Sequence, residues 1–472
     1  MSVGQPVFWL STLFRSDKRL YEAMRHSLVF VLFAFSGLSA IAARENLLFV
    51  QAVWRHGDRS PTDTYPNDSR NESEYHLGWG QLTAKGMEQH VLLGEKLREH
   101  YLFNDNFDFG MCPNFTSSHE IYIRATDVNR TIISAMSNMI GFYDMMTTGT
   151  AGVDYPDMSA WPKGFIPIAI HNTVPYDFDF IGNPDAVCRL QSEVWSKVKE
   201  SELYKNATEA NSLLLNELSA NAGFNVTLEN LWLISDDLYI QNVTFGEDGW
   251  PTWMNVSFYE QIYALNEVVE DWQNGINLEL LVNGQDASTL IKQCRGGSLV
   301  WSILNHMKQK IACQGVTDPN SRECRWINPL YYYVLSAHDT TLAALLTALG
   351  GKRQLIQDAY PHYSAASTFE LIEENKKYFF RATYWHPEHN HDPTVFTEDI
   401  HGCQNVTRDG KCPLDTIVAS MKAVLPPSGL SMEQYCDLGL DQFTKAATLR
   451  TGNLFIAVLF ALASYFFSTE GN

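Results

Sequence analysis

Three times in this chain an apolar, strand-forming run stops at charged residues and gives way to a segment of helical pattern. The first run is Leu47-Leu-Phe-Val-Gln-Ala-Val-Trp54, followed by Arg55-His56-Gly57-Asp58-Arg59. The second is Ile121-Tyr-Ile123, which ends at Arg124. The third is Pro329-Leu-Tyr-Tyr-Tyr-Val-Leu335, which leads through Ser336-Ala337 to His338-Asp339. Short continuous runs of Val, Ile, Tyr and Phe read as strands buried on both faces, as in a sheet covered by helices. In such open sheets, ligands bind outside the carboxyl ends of the strands. The pattern therefore predicts an α/β fold in which the three polar clusters meet at one edge.

The segments between these runs fit that frame. Thr83 to His100 has helical spacing, with Met87, Val91 and Leu97 expected toward a core. Thr126 and Asp127 are candidate caps for a helix that carries Ile132, Ile133 and Met136. Thr340 and Thr341 open an apolar helix, Leu342 to Leu349, which stops at Gly350-Gly351. The stretch 151–325 has many Trp residues and few convincing strands, and reads as a mostly helical cap inserted into the core. The expected layout is an N-terminal extension with signal peptide (1–43), a first core segment (44–150), the cap (151–325), a second core segment (326–440) and a C-terminal tail (441–472).

Composition narrows the partners. The formal charge is −20, which argues against nucleic acid, whose phosphates are bound by basic surfaces. Ser27 to Ala43 is apolar, follows Arg25-His26 and ends in small residues, so it reads as a signal peptide, with Met24 a natural start for it. Leu454 to Phe467 is apolar but shorter than the ~20 residues a span needs. It reads as a short tail anchor or a removable lipid-anchor signal. A secretory route predicts that the eight cysteines form four disulfides, one of them a local bridge between Cys403 and Cys412. Sequons begin at Asn67, Asn71, Asn114, Asn129, Asn206, Asn225, Asn242, Asn255 and Asn405, and all but Asn129, which lies close to the polar clusters, are expected to carry glycans.

The clustered residues suggest a chemistry. Arg55, Arg59 and Arg124 around one point would hold a dianion, since guanidinium forks match phosphate oxygens. A neutral His56 imidazole could then attack phosphorus in line and form a covalent intermediate. Gly57 would let the chain turn closely around the phosphate. Asp339 could protonate the leaving alkoxide and later activate water. No metal is needed, because arginines neutralise the charge. Taken alone, each cluster is more ordinary: a turn, a salt-bridge partner, a helix cap. The repeated strand–polar–helix context favours the functional reading.

Arg55-His-Gly-Asp-Arg-Ser-Pro61 resembles the signature of the histidine acid phosphatases, and Tyr122 to Arg130 and Leu335 to Thr341 resemble two further blocks of that family. Gly80-Gln-Leu-Thr83 and Gly86-Met-Glu-Gln-His90 are similar to its prostatic and lysosomal type. The resemblance spans roughly 46 to 440. It implies a phosphoglycerate mutase-like α/β core with a helical cap, and acid phosphatase activity on monoesters or phosphoproteins through a phosphohistidine. It implies His56 as nucleophile, Asp339 as proton donor, and Arg55, Arg59, Arg124 and His338 as phosphate ligands. It implies no cofactor, a homodimer, and a secretory, extracellular, cell-surface or lysosomal location. By resemblance Cys188 pairs with Cys436 and Cys403 with Cys412; Cys313–Cys324 and Cys112–Cys294 are then the expected remaining pairs. A cap-to-core disulfide of that type has no counterpart here, because Leu238-Tyr-Ile240 and Tyr363-Ser-Ala-Ala366 hold no cysteine.

Overall fold

Strand β1 (Glu45–Arg55) is the centre on which the architecture is built, and from Phe49 onward every residue of it is buried. It is followed by β2 (Ile121–Ala125), β3 (Ile170–His171), β4 (Tyr332–Ala337), β5 (Ala366–Glu374), β6 (Lys377–His386) and β7 (Asp392–Val395). The computed structural model describes residues 44–442 except 146, 319, 320, 357–359 and 428. The sheet path runs β7-β6-β5-β1-β4-β2-β3, with short strands Phe107–Phe109 and Cys412–Pro413 beside it. From β1 toward β3 the pairs are parallel; β1–β5, β5–β6 and β6–β7 are antiparallel. The parallel sheet expected from the apolar runs thus forms one half, and hairpin-linked strands extend it. The fold is α/β, and the described residues from 46 onward cluster as one compact unit. The apolar terminal segments at 27–43 and 454–467 lie outside the described residues.

Alternate residues of β1 explain the two covering layers. Phe49 and Val53 point into a cluster with Leu342, Leu345 and Leu346 of α8 (Asp339–Leu349) and with Ile303 of α7 (Gly297–Ala312). Val50, Ala52 and Trp54 point to the other face, against Leu93 and Leu97 of α1 (Ala84–Leu102) and Ala135 and Met139 of α2 (Asn129–Phe142). Gln51 is the polar exception on this central strand. Its amide donates to the Ile303 carbonyl at 2.9 Å and its oxygen meets His306 at 2.8 Å. Left unpaired, such a group would cost about 1–3 kcal/mol.

Leu97 of α1 faces the core as expected, beside Leu93 and Tyr101, but several other apolar residues of α1 and α2 expected there do not. On α1 the buried residues are Gly86, His90, Leu93, Gly94, Leu97 and Tyr101, while Met87 and Val91 are half-buried. On α2, Ser134, Ala135 and Gly141 are buried and Met136 is 46% exposed; Ile132 and Ile133 are half-buried. The two helices are in close contact. A Cβ on Gly94 would lie 2.1 Å from the Asn138 carbonyl, and one on Gly141 2.0 Å from that of Val91. Small residues must face each other where the two helices touch.

Stretch 189–327 is largely helical, including α3 (Arg189–Glu200), α4 (Leu231–Phe245), α5 (Val256–Gln273) and α6 (Ala287–Arg295). Disulfides join Cys188–Cys436, Cys313–Cys324 and Cys403–Cys412. Cys112 and Cys294 are free, so the expected Cys112–Cys294 bridge, and with it the count of four, is corrected. A disulfide needs Cα atoms within about 7 Å. Cys294 is buried on α6 among Leu190, Val194 and Tyr435. Cys112 follows Met111, which packs in the separate cluster under α1 and α2. The segments at 238–240 and 363–366 do meet, through the rings of Tyr239 and Tyr363 at 5.9 Å.

Candidate active site

Register places the histidines. Arg55 pairs with Ala337 across the parallel β1–β4 ladder. His56 and His338 are therefore the first residues beyond it on neighbouring strands, and their rings lie 5.6 Å apart. The same register separates Arg124 from them. Arg124 pairs with Leu335, two residues short of the strand end. It shares a face with Tyr122, which packs on the α7–α8 side, and ion-pairs with buried Asp179. Arg124 lines a different cavity, walled by Phe178, Trp301 and Pro427, so its expected place among the phosphate ligands is corrected.

Arg130 stands where Arg124 was expected. It is in the first turn of α2, lines the chamber beyond the strand ends, and donates to His338 Nδ1 at 3.5 Å. Neither Thr126 nor Asp127 caps that helix. The N-cap is Val128, and Thr126 Oγ1 meets His338 Nε2 at 2.9 Å and Thr131 Oγ1 at 3.0 Å. His338 thus turns Nδ1 toward Arg130 while a threonine relay fixes its other nitrogen. Arg130 was visible in the sequence as the last residue of the second motif, six positions after Arg124. The available signal was its place in a helix's first turn, which faces a strand-end crevice, whereas a residue inside a strand points to a sheet face.

The chamber has a volume of about 460 Å³ and is lined by Arg55, Arg59, Arg130, His338 and Asp339. Around them lie Tyr176, Asp185, Trp232, Asp236, Tyr239, Tyr263, Glu270 and Tyr360. Arg55 donates to Asp339 Oδ2 at 2.7 Å and to the Pro361 carbonyl at 2.6 Å, and stacks over Tyr363 at 4.2 Å. Arg59 forks onto Asp236 of α4 at 2.9 and 3.1 Å. The Nε–H groups of Arg55, Arg59 and Arg130 are buried without a protein acceptor. Three such donors around one chamber suit an anion with several oxygens. Asp236 had no signal in the sequence, because it comes from a helix far along the chain whose docking alone brings it here.

His56 is 1% exposed. Its Nδ1 lies 2.8 Å from the Gly57 carbonyl, which can only accept, so Nδ1 carries the proton and Nε2 keeps a lone pair. Burial, then the charges of Arg130, Arg55 and Arg59, hold its pKa well below the usual histidine value. The imidazole is therefore neutral well into the acid range. Gly57 does not have a left-handed backbone. It admits α1 instead: a Cβ there would sit 2.2 Å from the Gly86 carbonyl, and one on Gly86 2.3 Å from that of Asp58. Asp58 points away, accepting from Thr83 at 2.5 Å. At Asp339, burial favours the protonated form, but Arg55 and Arg59 outweigh it and hold the group below the usual carboxylate value.

A sequence model of the histidine phosphatase superfamily (branch 2) matches residues 46–385. Human prostatic acid phosphatase is 30% identical, over 86% of this chain and 93% of its own length. The lysosomal acid phosphatase of Xenopus laevis is 28% identical, over 84% of this chain and 80% of its own length. Among solved structures, Hafnia alvei phytase in complex with tartrate superposes with a TM-score of 0.57 at 16% identity, covering 84% of this chain and 99% of that one. Klebsiella phytase gives 0.53 at 18%, covering 82% and 98%. At these identities the two phytases speak for the fold alone.

Proposed function

We propose that this chain, which belongs to branch 2 of the histidine phosphatase superfamily, is an acid phosphatase that carries its substrate's phosphate on His56. The observation that carries this reading is one chamber lined by His338 and by three guanidinium groups whose Nε–H donors lack protein acceptors, with the buried, neutral His56 ring 5.6 Å from that of His338. Arg55, Arg59, Arg130 and His338 hold the phosphoryl oxygens. Nε2 of His56 forms a bond to phosphorus as the ester P–O bond breaks. The leaving alkoxide takes a proton from Asp339. In the second half Asp339, now a carboxylate, removes a proton from the water that cleaves the P–N bond, and phosphate leaves. The arginines neutralise charge that would otherwise require a metal. Among the described residues, no group of three His, Cys, Asp or Glu side chains could hold one. Nitrophenyl phosphate should thus be hydrolysed at acid pH at the same rate with and without EDTA. Loss of rate with EDTA, restored by a divalent metal, would overturn the metal-free route.

Arg130 and Arg124 separate by experiment. Arg130→Ala should lower kcat/KM by roughly 10²–10³-fold, as expected when a donor to the transferring group is lost. Arg124→Ala instead strands buried Asp179, and should cost about 3–5 kcal/mol of stability, as breaking a buried pair does. Thermal melting and steady-state kinetics on both variants check this. A kinetic defect confined to Arg124→Ala would restore that residue to the site.

Segments 44–150 and 326–440 form the catalytic core in this reading, and 151–325 the cap. The protein belongs to the secretory route, at the cell surface, outside the cell or in lysosomes. Support comes from the names of its lysosomal and prostatic relatives and from the sequons. Asn67, Asn71, Asn114, Asn206, Asn225, Asn255 and Asn405 are exposed, with Asn242 half-buried. No helix among the described residues is long and apolar enough to cross a membrane; the proposed C-terminal anchor segment, 454–467, lies outside them. A second copy of the chain is the proposed protein partner.

A further inference from the structure

The chamber continues past the phosphate arginines to a wall of different character. Glu270 of α5 lines it, is 2% exposed, and its Oε2 has no hydrogen-bond partner. A buried carboxyl oxygen left without a partner, on a residue that lines a cavity, is an acceptor available to a group that enters the cavity. The rings of Tyr176, Trp232 and Tyr263 line the same space. Among the described residues, Arg55, Arg59 and Arg130 are the only arginines on the lining, and no lysine is there. Arg295, behind Glu270, is committed to Asp185 at 2.5 Å and to Asn274 at 3.3 Å. A second phosphate would thus meet carboxyl groups and aromatic faces, with every lining arginine already engaged by the first. A positive group would meet an unpartnered carboxyl oxygen and rings whose faces attract cations.

We propose that Glu270 anchors a leaving-group subsite, and that the preferred substrate is the phosphomonoester of a protonated primary amino alcohol. Its ammonium sits on Glu270 and its phosphate on Arg55, Arg59 and Arg130. This rests on the phosphatase reading above and adds a substrate class to it. The groups facing Glu270 are Tyr360, which hydrogen-bonds to it, Arg295 at the end of α6, Asp185 before α3 and Asp339 at the start of α8. Burial, opposed by Tyr360 and Arg295, raises the Glu270 pKa to about 7. At acid pH the carboxyl is neutral until an ammonium arrives, and the preference for amines strengthens as pH rises toward neutrality.

The test is a series of ω-aminoalkyl phosphates of increasing length, each beside the n-alkyl phosphate of the same length. The wild type should favour the amine in kcat/KM by about ten-fold at one or more lengths, the scale of a charge-assisted hydrogen bond. The ratio should grow between pH 5 and 7.5, and Glu270→Gln should bring it close to one. An equal loss for both members of a pair, or no amine preference at any length, overturns the subsite while leaving the phosphatase reading intact. Failure of the wild type to hydrolyse any of them overturns both. Should Glu270→Gln not fold, the wild-type pH series decides: a flat ratio overturns the proposal.

Discussion

Replacing His56 with alanine is expected to end turnover, with a fall of at least about four orders of magnitude, as loss of a covalent nucleophile produces. Phosphate binding should persist, because the arginines keep their own anchors: Arg55 on Asp339 and Pro361, Arg59 on Asp236. The fold should persist as well, since the ring's hydrogen bond is a local one to Gly57. Rapid quenching of the wild type with labelled substrate should trap label that is stable in alkali and lost in acid, as a phosphohistidine is. Peptide mapping should place it on His56. Label on a serine or aspartate, or burst kinetics surviving in His56→Ala, would remove His56 from the mechanism. A further readout follows from its lowered pKa. Only an unprotonated ring can act as nucleophile, so acidification from neutrality should not remove that form of His56 until pH falls through the lowered value. Any loss of rate at moderately acid pH must then come from another group.

Asp339→Asn should have the next largest effect, and one that depends on the leaving group. Arg55 and Arg59 hold Asp339 below the usual carboxylate value despite its burial. A group with a lowered pKa donates a proton only at low pH, and incoming phosphate, by adding negative charge, raises that value. Activity should therefore be greatest in acid and decline as pH rises. Asparagine retains size and a hydrogen bond but has no proton to give. Alkyl phosphates should lose several orders of magnitude in the phosphorylation step, whereas nitrophenyl phosphate, whose anion leaves unaided, should lose far less. Single-turnover rates for both substrates in both proteins check this. Equal losses would mean that Asp339 merely positions Arg55, and His338 would be the next candidate donor.

Local chemistry in the sequence was enough to locate three buried strands, the polar ends that close them, and the residues that sit at those ends. Arg55 ends its strand and His56, His338 and Asp339 lie just beyond theirs, so a strand-end rule finds them without knowledge of packing. The helix ending at Gly350, which adopts a left-handed conformation (φ 97°), was legible for the same reason. What depended on register or on packing between distant elements was not. Arg124 and Arg130 are six residues apart, and only the pairing of β2 with β4 reveals that the first faces the sheet's side and the second its open end. The close approach of α1 to α2 at Gly94 and Gly141 depends on both helices being in place. Cys112 and Cys294 stay unpaired because two separate cores hold them apart. Asp236 and Glu270 reach the chamber from helices whose sequences carry no trace of it. Periodicity within a segment determines what that segment becomes. Which side chains meet across segments is decided by register and close packing, which exist only once the chain has folded.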